Sequence, residues 1–237
     1  MRGKGFTFKQ FHIDHSRCAM KVGTDGTLLG AWATLPDNGR ILDIGTGTGL
    51  IAIMAAQRTS GAKITAIDID EDCVLQAQEN VAASPWPDRI EVIHSALQEF
   101  DTSEKFDVII SNPPYFIDSQ LSPDAARSTA RHTTTLPFNE LVTGVRRLLA
   151  NGGHFSLILP PTEMERFRSA ARGVMFVVRE CHVWSTPTSG VRRIMAEFHA
   201  EPPTELTVVE KIIIEEKGRH EYSKEYRTLT RDFYLKF

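Results

Sequence analysis

Apolar residues recur along this chain in two patterns that alternate. Short apolar runs, at residues 40–44, 63–67, 89–94, 106–111 and 154–159, read as strands. Between them, 50–58, 71–83 and 137–150 carry apolar residues at helical spacing. Pro85-Trp86-Pro87 ends the second of these helices. The third begins with Pro at its first turn and stops at Asn151-Gly152-Gly153. Strand–helix repetition of this kind predicts an α/β fold with a mostly parallel, doubly wound sheet. The last third changes character. Residues 163–172 read as a helix, and 174–184 and 191–200 as an antiparallel hairpin at one edge of that sheet. Residues 206–214 read as a further strand. Residues 223–234 read as a helix, with Tyr226, Leu229, Phe233 and Tyr234 at roughly helical spacing.

The pattern ahead of residue 40 is weaker. Residues 5–13 alternate Phe6, Phe8 and Gln10 against Thr7, Lys9 and Phe11, as in a short strand or extended arm. An apolar helix follows at 27–33, with Thr24 or Asp25 placed to cap it. The expected organisation is one domain over 1–237: an N-terminal arm (1–36), a catalytic core (37–200) and a C-terminal extension (201–237). Segment 117–136 is longer than an ordinary connection, which predicts a mobile loop that serves a substrate.

Composition narrows this frame. The 237 residues are 41% apolar, enough for a stable core, and no run has the length or flanks of a signal peptide or a membrane span. Cys18, Cys73 and Cys181 lie far apart, which predicts a reducing cytoplasm rather than a disulfide framework. His12, His15 and Cys18 have no second ligand pair nearby, so no metal site is expected. The net charge of −3 is unevenly spread. Residues 1–22 hold five Lys/Arg against one acid, and 217–237 hold six against three. Basic ends on an acidic body suit a split surface for a polyanion.

Two motifs carry the chemistry. Asp43-Ile44-Gly45-Thr46-Gly47-Thr48-Gly49 ends the first core strand and opens a helix. Its glycines allow a sharp turn and close approach of a ligand. Nicotinamide and flavin enzymes use a similar device, but the spacing here is GxGxG and an acid precedes it. Asp68 ends the next strand, 19 residues after Gly49, where a carboxylate can accept two ribose hydroxyls. Asp70 is the better cap for the helix that follows, which leaves Asp68 for the ribose. The second motif is Ser111-Asn112-Pro113-Pro114-Tyr115-Phe116. Two prolines end a buried strand in a rigid turn that offers an amide, a carbonyl on Pro113 and an aromatic ring. A planar amino group fits there, hydrogen-bonded at its edge and stacked on its face.

Together these residues resemble the class I adenosylmethionine-dependent methyltransferases, a Rossmann-like fold. The resemblance implies S-adenosylmethionine as cofactor, with its methionine end near Asp43, Gly45, Gly47 and Gly49, its ribose on Asp68 and its adenine near Ala96. Ser95 stands where an Asp is often found. Enzymes of this class methylate planar nitrogens at turns like Asn112-Pro113-Pro114-Tyr115. The turn itself does not choose among adenine N6, cytosine N4, guanine N2 and a glutamine amide.

The flanks do. Phe8-Lys9-Gln10-Phe11, the run from Met20 to Trp32, Ala130-Arg131-His132, Tyr222-Ser223-Lys224-Glu225-Tyr226 and Asp232-Phe233-Tyr234-Leu235-Lys236-Phe237 resemble the bacterial tRNA1(Val) adenine-N6 methyltransferases. That resemblance spans nearly the whole chain. It implies a tRNA partner and methylation of the adenosine 3′ of the anticodon. Asn112, Pro113 and Tyr115 then form the amine site, and Lys21 and Thr24 a lid over the methionine end. Phe116, Arg131, His132, Lys224 and Arg227 are the RNA-side candidates, with Arg127, Arg192 and Arg193 as further ones. Nothing in the sequence calls for an obligate protein partner. Two rivals remain. Protein glutamine-amide methyltransferases use the same turn but usually carry a separate N-terminal helical domain, whereas only about 35 residues precede the first core strand here. A non-catalytic RNA-binding subunit of the same fold has no need of both motifs intact.

Overall fold

A computed structural model describes residues 5–114 and 136–236. Among these residues one eight-stranded sheet organises the fold, in the order β10-β8-β9-β7-β6-β3-β4-β5. Strands β3 (Arg40–Ile44), β4 (Lys63–Asp68), β5 (Ile90–His94), β6 (Phe106–Ser111) and β7 (Leu149–Leu159) pair in parallel. The antiparallel pair β8 (Phe176–Trp184) and β9 (Val191–His199) joins beside β7, and β10 (Val208–Ile213) extends the sheet beyond it, parallel to β8. Helices α1 (Thr24–Trp32), α2 (Leu50–Arg58), α3 (Glu71–Ala82), α4 (Phe138–Leu148), α5 (Pro161–Ala171) and α6 (Lys224–Thr230) accompany it.

The doubly buried strands explain their near-continuous apolar runs. Ile41, Val108, Ile110 and Ile158 join one core with Leu28, Leu29 and Trp32 of α1 and Ile53 and Met54 of α2. Their neighbours Leu42, Ile44, Ile109 and Phe155 join a second core with Leu141 and Val145 of α4 and Phe167 of α5. Period-two alternation thus splits each strand between two helical layers. Strand order reverses at β3, with β4 on one side and β6 on the other. Ile44 pairs with Ser111, so the ends of β3 and β6 stand side by side at the carboxyl edge. In open α/β sheets that reversal is where ligands bind.

Four expectations need correction. Residues 5–13 do not form one strand. Gly5–Thr7 (β1) and His12–Asp14 (β2) make a separate two-stranded hairpin, because Phe8 N–H bonds Phe11 O at 2.9 Å and turns the chain. The turn buries Phe8 and Phe11 together, stacked at 4.7 Å, which simple alternation does not foresee. Strand β7 begins at Leu149, not 154. Leu149 pairs with Phe106 and His154 with Val108, so the intervening residues bulge, with Gly152 at φ 75°. Helix α1 is not capped by Thr24 or Asp25. Its N-cap is Gly23, without a side-chain bond, and Thr24 is its first residue. The last helix is shorter than 223–234. Ser223 caps α6 by accepting from Tyr226 N–H, and Phe233 packs from a turn beyond it.

The two basic ends meet. Lys9 N–H bonds Phe233 O at 2.8 Å, and Lys9 Nζ donates to Arg231 O. Tyr234 packs on Phe6 and Phe8 with ring centroids at 5.9 and 6.0 Å. Among the described residues, no helix is long and apolar enough to cross a membrane.

Candidate active site

The glycine loop is shaped by its neighbours across the strand ends. Gly45 and Thr46 N–H both donate to Ile67 O, at 2.9 and 3.0 Å. Gly45 and Gly47 have φ of 70° and 55°, and a Cβ on either would point into open space. That is the cradle a ligand would fill. Gly49 has a different task. Its φ is 80°, and a Cβ there would come within 3.3 Å of Ala77, so it lets α2 start close against α3.

Asp43 is fully buried behind the loop. Its Oδ2 accepts from Thr46 Oγ1 at 2.6 Å, while its Oδ1 has no hydrogen-bond partner among the described residues. Burial pushes its carboxyl up to about 7; the Thr46 hydroxyl opposes this and the charge of Asp68 adds to it. Burial also raises Asp68 above the usual carboxylate range, against its backbone hydrogen bonds. Two acids held this way favour a cationic partner. An orphaned carboxylate oxygen and a glycine cradle therefore fit a cofactor that carries both positive charge and hydroxyls.

Asp70 caps α3, accepting from Asp72 and Cys73 N–H at 2.9 and 3.2 Å. The expectation that Asp68 is left open is corrected. Its Oδ2 accepts from Gly47 N–H at 2.7 Å and its Oδ1 from Asp70 N–H at 3.0 Å. The carboxylate ties the glycine loop to the start of α3, and hydroxyls would share its remaining lone pairs. Beside it Ile69 is 48% exposed, an apolar surface next to the acid that sequence pattern did not single out. Ser95 N–H bonds Asp68 O at 2.9 Å, which brings half-buried Ala96 to the same edge.

The second motif lies one strand away. Ser111 Oγ donates to Ile44 O at 2.9 Å, which locks the ends of β6 and β3 together. Pro113 is buried and Asn112 half-buried. Asn112 is backed by α1: a Cβ on Gly26 would stand 3.9 Å from Asn112 Nδ2 and 3.2 Å from Leu50 Cδ2. Tyr115, Phe116, Arg127, Arg131 and His132 lie outside the described residues, as does nearly all of segment 117–136.

The remaining candidates separate. Lys21 and Thr24 are exposed, just before and at the start of α1. Lys224 and Arg227 are exposed on α6, which packs against α1 and β10. Arg192 is exposed, whereas Arg193 is half-buried and its Nε donates to Asp25 Oδ2 at 2.7 Å. Among the described residues no group of three His, Cys, Asp or Glu is placed to hold a metal ion. Sequence reading missed Asn80 on α3. Its Nδ2 donates to Thr48 O and Asp14 O, both at 2.8 Å, and its Oδ1 accepts from Asp14 N–H at 2.9 Å. It joins the glycine loop to the N-terminal arm, a link between distant segments that spacing does not reveal.

Comparison with known proteins gives the family and the fold. The methyltransferase small domain family matches residues 18–162. A protein of Bacteroides thetaiotaomicron named tRNA1(Val) (adenine(37)-N6)-methyltransferase is 47% identical over 97% of this chain and 97% of its own length. One of the same name from Pseudoalteromonas translucida is 44% identical over 98% of this chain and 99% of its own. Among solved structures, a predicted O-methyltransferase from Agrobacterium tumefaciens matches with a TM-score of 0.67 at 20% identity, covering 88% of this chain and 96% of that one. The glycopeptide N-methyltransferase MtfA complexed with (S)-adenosyl-L-methionine matches with a TM-score of 0.54 at 14% identity, covering 75% and 95%. At such identities the two structures speak for the fold alone.

Proposed function

The chain belongs to the tRNA1(Val) (adenine(37)-N6)-methyltransferases, and from that premise we propose how its own residues divide the work. The enzyme methylates the exocyclic N6 of adenosine 37 in tRNA1(Val), with S-adenosylmethionine as donor. One observation carries the assignment of its site: the pairing of Ile44 with Ser111 sets the glycine loop and the Asn112 turn side by side. In this reading Asp43, Gly45, Gly47 and Gly49 hold the methionine end of the cofactor, Asp68 its ribose and the edge at Ala96 its adenine. Lys21 and Thr24 cover it. When bound, S-adenosylmethionine supplies an electrophilic methyl group on a good leaving group, so the chain needs no strong base.

What the chain must supply is an activated amine. The lone pair of N6 is delocalised into the adenine ring, which makes it a poor nucleophile. Asn112 Oδ1 and the Pro113 carbonyl accept its two hydrogens. That favours a pyramidal nitrogen, directs the lone pair out of the ring plane and shares the positive charge that grows there. The last proton leaves to water. Tyr115, joined by Phe116, would stack on the base, a contact worth about 1–3 kcal/mol per base; both residues lie outside the described ones. A base in an anticodon loop is already partly unpaired, so extruding it costs little. The core 37–200 does this chemistry, while the arm 1–36 and the extension 201–237 flank it in one cytoplasmic enzyme.

The test is a pair of measurements. Calorimetry should detect S-adenosylmethionine binding, and labelled methyl groups should enter tRNA rather than protein. No cofactor binding would point to a non-catalytic RNA-binding subunit, and label in protein to a glutamine-amide enzyme. Asp68→Ala should weaken cofactor binding at least about tenfold, because it removes charged hydrogen bonds of about 1.5–3 kcal/mol each. An unchanged Kd would take the ribose off Asp68. Reversing the charges of Lys224 and Arg227 should weaken tRNA binding and reduce the slope of log K against log salt by roughly 0.7–0.9 for each phosphate no longer neutralised. An unchanged slope would remove the C-terminal segment from the RNA surface.

A further inference from the structure

Helix α1 packs against the sheet, and β9 reaches it at both ends. At the foot, Thr34 N–H donates to Glu197 Oε1 at 2.7 Å and Trp32 Nε1 to Glu210 Oε2 at 2.6 Å. Arg179 joins the same group, its guanidinium 4.2 Å from the Trp32 ring and its Nη1 3.4 Å from Glu197. At the head, Arg193 meets Asp25 in the first turn of α1. Arg193 shares its side of β9 with Met195, which belongs to the same core as Leu28 and Leu29. Since Ile194 pairs with Leu159 at the carboxyl end of β7, Arg193 stands at the active-site edge of the sheet.

The next residue of α1, Gly26, backs Asn112. A Cβ on Gly26 would crowd Leu50 Cδ2 at 3.2 Å, so glycine is what lets the head of α1 lie this close to α2 and to Asn112. If that head moved outward, a gap would open behind the Asn112 amide. Among the described residues no side chain accepts from the first N–H groups of α1, and its N-cap is Gly23. We propose that Arg193 is a positioning residue for methyl transfer: its ion pair with Asp25 fixes the head of α1, and through Gly26 the placement of the Asn112 amide. Arg193 acts through Asn112 and does not bind phosphate. The inference rests on Asn112 as the holder of the amine.

The foot of α1 is anchored independently, and that makes the role separable from folding. Arg193→Met should lower kcat about tenfold to a hundredfold, since a misplacement of about 1 Å can cost about a hundredfold. KM for tRNA and the melting temperature should stay nearly unchanged. Asp25→Asn, which is isosteric, should reproduce the loss. The double variant should be no worse than either single one, and Arg193→Lys should recover part of the rate. In the cofactor-free protein, the side-chain amide signals of Asn112 should shift in both single variants. A rise in KM with kcat intact would make Arg193 a phosphate contact and overturn the proposal. So would additive losses in the double variant, or unmoved Asn112 signals. Failure of the wild-type enzyme to methylate adenine N6 would instead overturn the functional reading itself.

Discussion

Asn112→Ala is expected to lower kcat about tenfold to two-hundredfold while tRNA binding persists. On the proposed assignment the substitution removes one of two acceptors for the amine hydrogens, an interaction worth on the order of 1.4–3 kcal/mol at the transition state. The turn itself should survive. Ser111 Oγ still bonds Ile44 O, and Pro113 is still buried. Asn112→Asp keeps an acceptor oxygen and should retain more activity than the alanine variant. Single-turnover rates and filter-binding affinities for tRNA separate the two effects. If binding and melting temperature collapse with the rate, Asn112 holds the turn and not the amine.

Asp43→Asn is expected to stabilise the cofactor-free protein at alkaline pH and to weaken cofactor binding there. The folded-state carboxyl lies at about 7 against an ordinary value near 3.8. The folded protein therefore holds a proton that the unfolded chain has lost over this interval. Stability from this group is present below about 3.8 and declines as pH rises to about 7. The ionised form then costs roughly 4 kcal/mol, at about 1.36 kcal/mol per pH unit. Asparagine removes that cost and can still accept from Thr46. Its melting temperature should exceed that of the wild type at pH 8, and the gap should close toward pH 4. Binding of a cationic cofactor should show the reverse. Wild-type affinity should fall as pH drops below about 7, because Asp43 must lose its proton to meet the cation. The variant should bind at least about tenfold more weakly at pH 8 and lack this pH dependence. Parallel pH profiles in calorimetry would take Asp43 out of the cofactor site.

The central sheet was legible in the sequence because strands buried on both faces leave nothing to interpretation. Runs such as 40–44 and 106–111 have few other readings, and helices between them force parallel pairing. The places of the two motifs were legible for the same reason, since each begins at the end of such a strand. What escaped depends on contacts between distant residues. Asp25 reads as a cap by local pattern, yet its carboxylate goes to Arg193, 168 residues away. Phe11 breaks the alternation of the arm because a turn folds it against Phe8. Asp68 reads as open to a ligand, but the finished fold brings Gly47 N–H to it. The early start of β7 depends on a bulge at Gly152, and a glycine after a helix reads first as a stop. The meeting of the two basic ends could be read as charge, but not as the contact of Lys9 with Phe233.

Methyl transfer to adenosine 37 is read most directly by nucleoside analysis of tRNA1(Val) after incubation with the enzyme and S-adenosylmethionine carrying a labelled methyl group. Label is expected in N6-methyladenosine alone, and none when adenosine 37 is replaced by guanosine. Label in another nucleoside, or undiminished label after that replacement, would contradict the assignment of this chain as an N6 methyltransferase acting at that adenosine.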